Sequence, residues 1–216
     1  MTKNELLIRI QNNPDLSGLD LSGIKLSELD LVGVNFTRCI LKKADLSKSN
    51  LALCIFDESD LTDCKMDSSN LTGASFKGAV LINADLNFSF LPGANFSFSN
   101  MKGVNLTSAK ITACNFQEAH MENANLQMVE ASLGNFAKAY LRSANLNQGT
   151  FTAADFSDAD MEGVSFFKSD LSGVKFLRTN LKSAEFIRCF LIATIFTGAV
   201  LKDAIFEKNF ESRVIK

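Results

Sequence analysis

The sequence predicts an all-β solenoid. A single chain winds through square coils of 20 residues, stacked behind a short N-terminal helix. Three observations lead there. From Leu16 to Phe206 every fifth residue is large and apolar, which makes 39 units without insertion or deletion and with one lapse, at Ala131. Phenylalanine recurs every 20 residues, at Phe36, Phe56, Phe76, Phe96, Phe116, Phe136, Phe156, Phe176 and Phe196. A period of five matches neither the 3.6 of a helix nor the 2 of a strand. Each unit must therefore turn the chain by a fixed angle, and four units close one coil if that angle is near 90°.

The phenylalanine column supports the number four independently. Positions 16, 36 and onward to 196 hold nine phenylalanines in ten, whereas the other 29 central positions hold four. The four walls are thus unlike one another and repeat every fourth unit. A repeat-built solenoid buries the apolar edge of each coil against the next. Phenylalanine should stack on phenylalanine along one wall at a rise of about 4.8 Å, giving a rod of roughly 45–50 Å.

Taken in order, residues 1–13 lie outside the repeat. Thr2 or Asn4 is placed to cap a helix whose Leu6, Leu7 and Ile10 share a face, and Pro14 ends it. This segment reads as a cap over the first coil. Residues 14–206 are the solenoid. Call each central apolar residue i. Position i−2 is small (Ala44, Ser49, Cys54, Ser59), so it points inward near a corner. Position i−1 favours Asp and Asn, and i+1 and i+2 are mostly polar, so these face water. Residues 207–216 read as a C-terminal cap or a dimerisation tail.

The pattern Ala44-Asp45-Leu46-Ser47-Lys48, echoed at Ala84-Asp85-Leu86, Ala94-Asn95-Phe96, Ala124-Asn125-Leu126 and Ala154-Asp155-Phe156, resembles that of the pentapeptide-repeat proteins. The resemblance implies a right-handed quadrilateral β-helix. One branch of that family resembles a B-DNA duplex in shape and charge. Its members bind DNA gyrase or topoisomerase IV, confer quinolone resistance and dimerise at their C-terminal end. Other members are bacterial effectors or cyanobacterial proteins. The resemblance thus raises gyrase, topoisomerase IV or another protein as partner, and a homodimer through the C-terminal coils.

Composition narrows the classes. A net charge of −2 lacks the basic excess of a direct nucleic-acid binder. No apolar run approaches membrane-spanning length, and the N-terminus lacks a signal-peptide core, so a cytoplasmic protein is expected. Outward residues mix signs, which argues against an imitator of phosphate charge. Cys39, Cys54, Cys64, Cys114 and Cys189 all occupy i−2 with no Cys-x-x-Cys, so they read as small core residues and not as zinc ligands or disulfides. No cofactor or metal is expected.

Three surface features remain. His120 and Tyr140, flanked by Asn100 and Asp160, share an outer column, but a convex wall does not exclude water, so they read as surface residues and no catalytic residue is assigned. Ladders such as Asn95, Asn115, Asn135 and Asn105, Asn125, Asn145 should hydrogen-bond from coil to coil. Ile187, Phe190, Ile192, Ile195, Val200 and Ile205 occupy outward positions in the last units, and Phe210 comes after them; such a cluster marks an interface, either with the tail or with a second copy. Phe88, Phe90, Phe98, Met128 and Leu133 form a second outward apolar group, a partner site if exposed together. The expected function is a non-enzymatic scaffold for protein–protein interaction.

Overall fold

In a computed structural model, residues 3–210 are described. Helix α1 (Lys3–Asn12) precedes a stack of coils, each wall of which turns after two or three residues. Parallel bridges join residues 20 apart, from Asp15↔Asn35 to Phe190↔Phe210. Among the described residues regular strand is confined to β1 (Glu185–Ile187) and β2 (Ile205–Glu207), paired in parallel. Elsewhere a single residue per wall bridges to its neighbours, because the next turn begins two residues later. The all-β expectation therefore holds as a ladder of bridges and not as a set of strands. Residues 207–210 continue the last wall, with Leu191 N–H donating to the Phe210 carbonyl at 2.9 Å.

Backbone hydrogen bonds repeat with the unit. Phe36 N–H donates to the Ile55 carbonyl at 2.7 Å, Arg38 N–H to Asp57 at 2.9 Å, and Ile55 N–H back to Val34 at 3.1 Å. Cys39 N–H donates to the Phe36 carbonyl at 3.0 Å and closes the turn. Residue i+2 of each turn has a positive φ, from Gly18 (74°) to Lys208 (53°), so the corner is a type II-like turn with a left-handed third residue. One N–H per unit, that of i+1, has no backbone partner. The Asp or Asn at i−1 supplies it: Asn35 Oδ1 accepts from Thr37 N–H at 3.0 Å, Asp60 from Thr62 at 3.1 Å and Asn135 from Ala137 at 3.1 Å. Where i−1 is serine, an Asx one coil below takes over, as Asp57 does for Lys77 and Asn147 for Phe167. The i−1 preference is thus a local turn requirement.

Central and i−2 residues fill the interior. The phenylalanine column is buried, with ring centroids 4.5–5.5 Å apart from Phe36 to Phe196. Ala131, the lapse in the repeat, is also fully buried. Phe151 sits one coil above it, in a column that otherwise holds leucine and Ile111, and meets Phe136 edge-on at 6.3 Å. Gly149 makes room, since a Cβ there would collide with the Phe151 ring. A small residue and a large one on adjacent coils thus keep the core volume constant. Near the C-terminal end the opposite wall turns aromatic as well. Phe166, Phe186 and Phe206 stack at 5.0 and 4.6 Å and meet the first column edge-to-face, Phe186 on Phe196 at 5.6 Å.

The five cysteines are free and buried. Cys39, Cys54, Cys114 and Cys189 each donate S–H to the carbonyl of the central residue 23 positions earlier. Burial pushes the thiols of Cys54 and Cys114 up to about 12 and that of Cys189 to about 11. At the N-terminal end Leu6 of α1 is fully buried, and Leu7 and Ile10 pack beside it on the first coils. Thr2, one of the two candidate caps, lies outside the described residues.

Candidate interaction surface at the C-terminal coil

The two ends of the stack differ. The first coil lies under α1. At the other end Phe206, a central residue that the repeat assigns to the core, is 41 % exposed, and Leu201 and Ala204 are only half-buried. Around this end the outward positions are apolar on every wall: Phe190, Ile192 and Phe210 on one, Ile195 on the next, then Val200, then Ile187 and Ile205. Phe190, Ile192, Val200, Ile205 and Phe210 are exposed, while Ile187 and Ile195 are half-buried. Phe190 and Phe210 stack at 4.9 Å.

Phe190, Ile195 and Val200 stand where Asp or Asn in many other units caps the N–H of i+1. Among the described residues no side-chain oxygen receives Ile192, Thr197 or Lys202 N–H, as is also the case for Thr112, Glu122 and Arg142 in the middle coils. Among those residues the last coil also has no rung above to take up its edge groups. Sequence reasoning found the outward cluster but missed Phe206, because a central position looks the same whether or not another coil covers it.

The other candidates separate. His120 stacks on Tyr140 at 4.4 Å and 9°. Its Nδ1 lies 3.5 Å from Glu122 Oε1, which Lys102 also approaches at 3.3 Å. Farther along, Arg142 pairs with Asp160 at 2.5 Å and Glu162 at 3.5 Å, and Lys182 with Glu162 at 2.8 Å. His120 Nδ1 and Glu122 Oε2 are buried without a hydrogen-bond partner, although both side chains reach solvent elsewhere. The arrangement holds the imidazole face to face with the Tyr140 ring of the next coil, with Glu122 beside its Nδ1. A shallow depression lies near the N-terminal end of the same wall, beside Asp20–Ile24.

The asparagine ladders form in part. Asn115 donates to Asn95 at 3.3 Å and Asn135 to Asn115 at 3.1 Å, as expected. On the third wall Asn125 donates instead to Thr107 Oγ1 at 2.9 Å, so the 105–125–145 series is not an amide chain. The second apolar group does not make one patch. Phe88, Phe90, Phe98, Met128 and Leu133 are all exposed, but they stand on three different corners of the coil, with only Phe88, Phe90 and Met128 near one another. Among the described residues no helix is long and apolar enough to cross a membrane.

The comparisons with known proteins agree with this architecture. Pentapeptide repeats match in eight copies over residues 15–52, 54–87, 91–127 and 135–173. The matched segments end before the apolar outward positions begin, although the coil runs on to Phe210. HetL, a pentapeptide repeat protein involved in heterocyst differentiation regulation from the cyanobacterium Nostoc sp. strain PCC 7120, superposes with a TM-score of 0.61 at 22% identity, over 97% of this chain and 94% of that one. QnrB1, a plasmid-mediated fluoroquinolone resistance protein, superposes in a trypsin-treated variant form with a TM-score of 0.69 at 16% identity, over 92% and 90% of the two chains. At these identities the likeness is one of fold. Among curated proteins none matches the sequence. The eight repeats, together with the unbroken ladder of bridges, make this chain a member of the pentapeptide-repeat family.

Proposed function

We propose that this protein is a non-enzymatic scaffold for protein–protein interaction, a ten-coil right-handed quadrilateral β-helix capped by α1, and that it pairs with a second copy through its last coil. The observation that carries the reading is the contrast between the ends: Leu6 seals one, whereas Phe206 and an apolar ring on four walls lie open at the other. An open β-edge bordered by exposed apolar side chains is a template for another edge. Because α1 covers the opposite end, head-to-tail growth is blocked, and an isologous pair closes the assembly. Five free, buried thiols suit a reducing, cytoplasmic compartment.

Sedimentation equilibrium tests the pairing. The wild type should sediment as a dimer at micromolar concentration, and Val200→Glu combined with Ile205→Glu should sediment as a monomer with unchanged circular dichroism. Phe88→Glu combined with Phe98→Glu should remain dimeric. A wild type that stays monomeric at high concentration would sink the idea.

A topoisomerase partner, the alternative raised by the family, draws less support. Imitation of a duplex requires files of like negative charge, and among the described residues no two acids stand one coil apart in a column. A supercoiling assay with DNA gyrase, with and without a quinolone, measures it. Inhibition or drug rescue would restore that reading against the charge pattern.

A further inference from the structure

Charges along this solenoid alternate. One column runs Lys25, Asp45, Lys65, Asp85, and another runs Lys102, Glu122, Arg142, Glu162. Opposite signs one coil apart make ion pairs, such as Arg38–Glu58 at 2.7 Å, Lys110–Glu130 at 3.4 Å and Arg178–Asp158 at 2.6 Å. Among the described residues three neighbouring pairs break the rule: Lys168 with Arg188, Arg188 with Lys208, and Lys182 with Lys202. All three are cation on cation, and all lie at the C-terminal end.

Lys182 keeps its partner in the coil below, Glu162. The ridge of Lys168, Arg188 and Lys208 has no such compensation. The three side chains are exposed on one corner, at a backbone rise of about 4.8 Å per coil. Lys168 lies over the Phe167 ring at 5.1 Å. Among the described residues none of the three makes an ion pair, although Asp170, Glu185 and Glu207 are close in sequence. Like charges directly opposite each other on adjacent strands are destabilising. The fold accepts that cost twice in succession along this ridge, and elsewhere among the described residues only once, at Lys182 and Lys202, where Glu162 offsets it.

The neighbours of the ridge define its ligand. Immediately beyond it stand the exposed Phe190–Phe210 stack and Ile192. The rings stack on each other along the rod, so they turn edges and not faces to the side. A nucleic-acid base would need a free face to stack on, whereas an aliphatic or aromatic side chain packs well against ring edges. We infer that the Lys168–Arg188–Lys208 ridge with its phenylalanine flank docks an acidic polypeptide segment that carries apolar side chains. The ridge borders the end face and shares Phe190, Ile192 and Phe210 with the apolar ring around it, but the assignment does not rest on self-association.

Fluorescence anisotropy with the full chain tests it, using a labelled peptide of glutamates interspersed with phenylalanines as the probe. Binding should weaken as salt rises, and should weaken at least ~10-fold in Lys168→Glu/Arg188→Glu/Lys208→Glu, where buried area is untouched and only charge complementarity is reversed. Lys138→Glu, at the equivalent position of another corner, should bind as wild type does. A peptide of glutamates and serines should bind more weakly. If the triple variant loses its thermal transition, Arg188→Gln decides the matter, with an expected loss of a few-fold. Equal affinity in wild type and ridge variants would overturn the assignment. So would binding of oligothymidine or phosphatidylserine vesicles in place of the peptide.

Discussion

The coils around Phe116 and those around Phe196 have the same backbone and opposite surfaces. Both show the same bridges, the same turn closures and the same positive φ at i+2. In the middle, Asn115 and Asn135 cap their turns, the other i−1 residues are polar, and charges pair from coil to coil. At the end, Phe190, Ile195 and Val200 put apolar side chains at i−1, and Lys168, Arg188 and Lys208 make no ion pair among the described residues. The inward residues alone suffice to set the coil. The outward ones are therefore free to diverge, and where they place apolar side chains in water or abandon a charge partner, something other than the fold must account for it.

The largest expected effects separate inside from outside. Phe116 is fully buried between Phe96 at 5.1 Å and Phe136 at 4.8 Å. Phe116→Asp places an unpaired charge in that stack, which costs several kcal/mol and should abolish the cooperative melt. Phe206→Asp, on the open face, should melt within a few degrees of wild type. Asn115→Asp retains the oxygen that accepts Gln117 N–H and should be mild. If Phe206→Asp is as damaging as Phe116→Asp, the last coil is not an open end.

A second experiment probes the one irregularity in the middle. Ala131→Leu should cost about 1–3 kcal/mol, because Phe151 already occupies the space above it. Phe151→Leu should leave a cavity and cost a similar amount. The double variant restores leucine on both coils, and chemical denaturation should show it closer to wild type than the sum of the two. Strict additivity would mean that the small and large residues are independent.

Much of the fold is legible in the sequence, because a period of five leaves few geometries open and the phenylalanine column sets the number of walls. The inside and outside of Asn115 and Phe116 follow from that alone. The role of i−1 is less legible. Asp and Asn there look like a polar face, whereas they serve a turn N–H, which only the backbone hydrogen-bond pattern exposes. The left-handed corner leaves a subtler trace: i+2 holds Leu53, Phe88 and Met128, yet never Val, Ile or Thr in any unit from Gly18 to Lys208. The exposure of Phe206 has no local signal, since it depends on whether another coil lies above it.

That corner offers a test in which middle and end should agree. Leu133 (φ 61°) and Ser183 (φ 56°) are both exposed in left-handed turns. Valine at either site should cost about 1–2 kcal/mol, because a β-branched side chain clashes with that backbone. Glycine at either site should be neutral to stabilising by up to about 1 kcal/mol. Melting temperatures that differ between the two sites would show that the end coil is held less firmly than its geometry suggests.

The smallest effect concerns charge, and here middle and end should differ. Hydrogen bonds from Arg38 and Arg178 hold the carboxyls of Glu58 and Asp158 below their usual range, and one from Lys182 does so for Glu162. These acids release their protons more readily in the folded chain. They favour folding above the ordinary carboxylate range of about 4, and that contribution is lost as pH falls through the lowered values. Arg178→Gln should therefore lower the melting temperature slightly at pH 7, and the difference should shrink as pH falls through the lowered value and the partner acid is protonated. Arg188→Gln, which relieves a repulsion and breaks no pair, should leave the melting temperature unchanged or raise it across the same pH range. A drop in Arg188→Gln at pH 7 would mean that Arg188 has a partner acid within the monomer, and the ridge would then be one more rung of the alternating ladder.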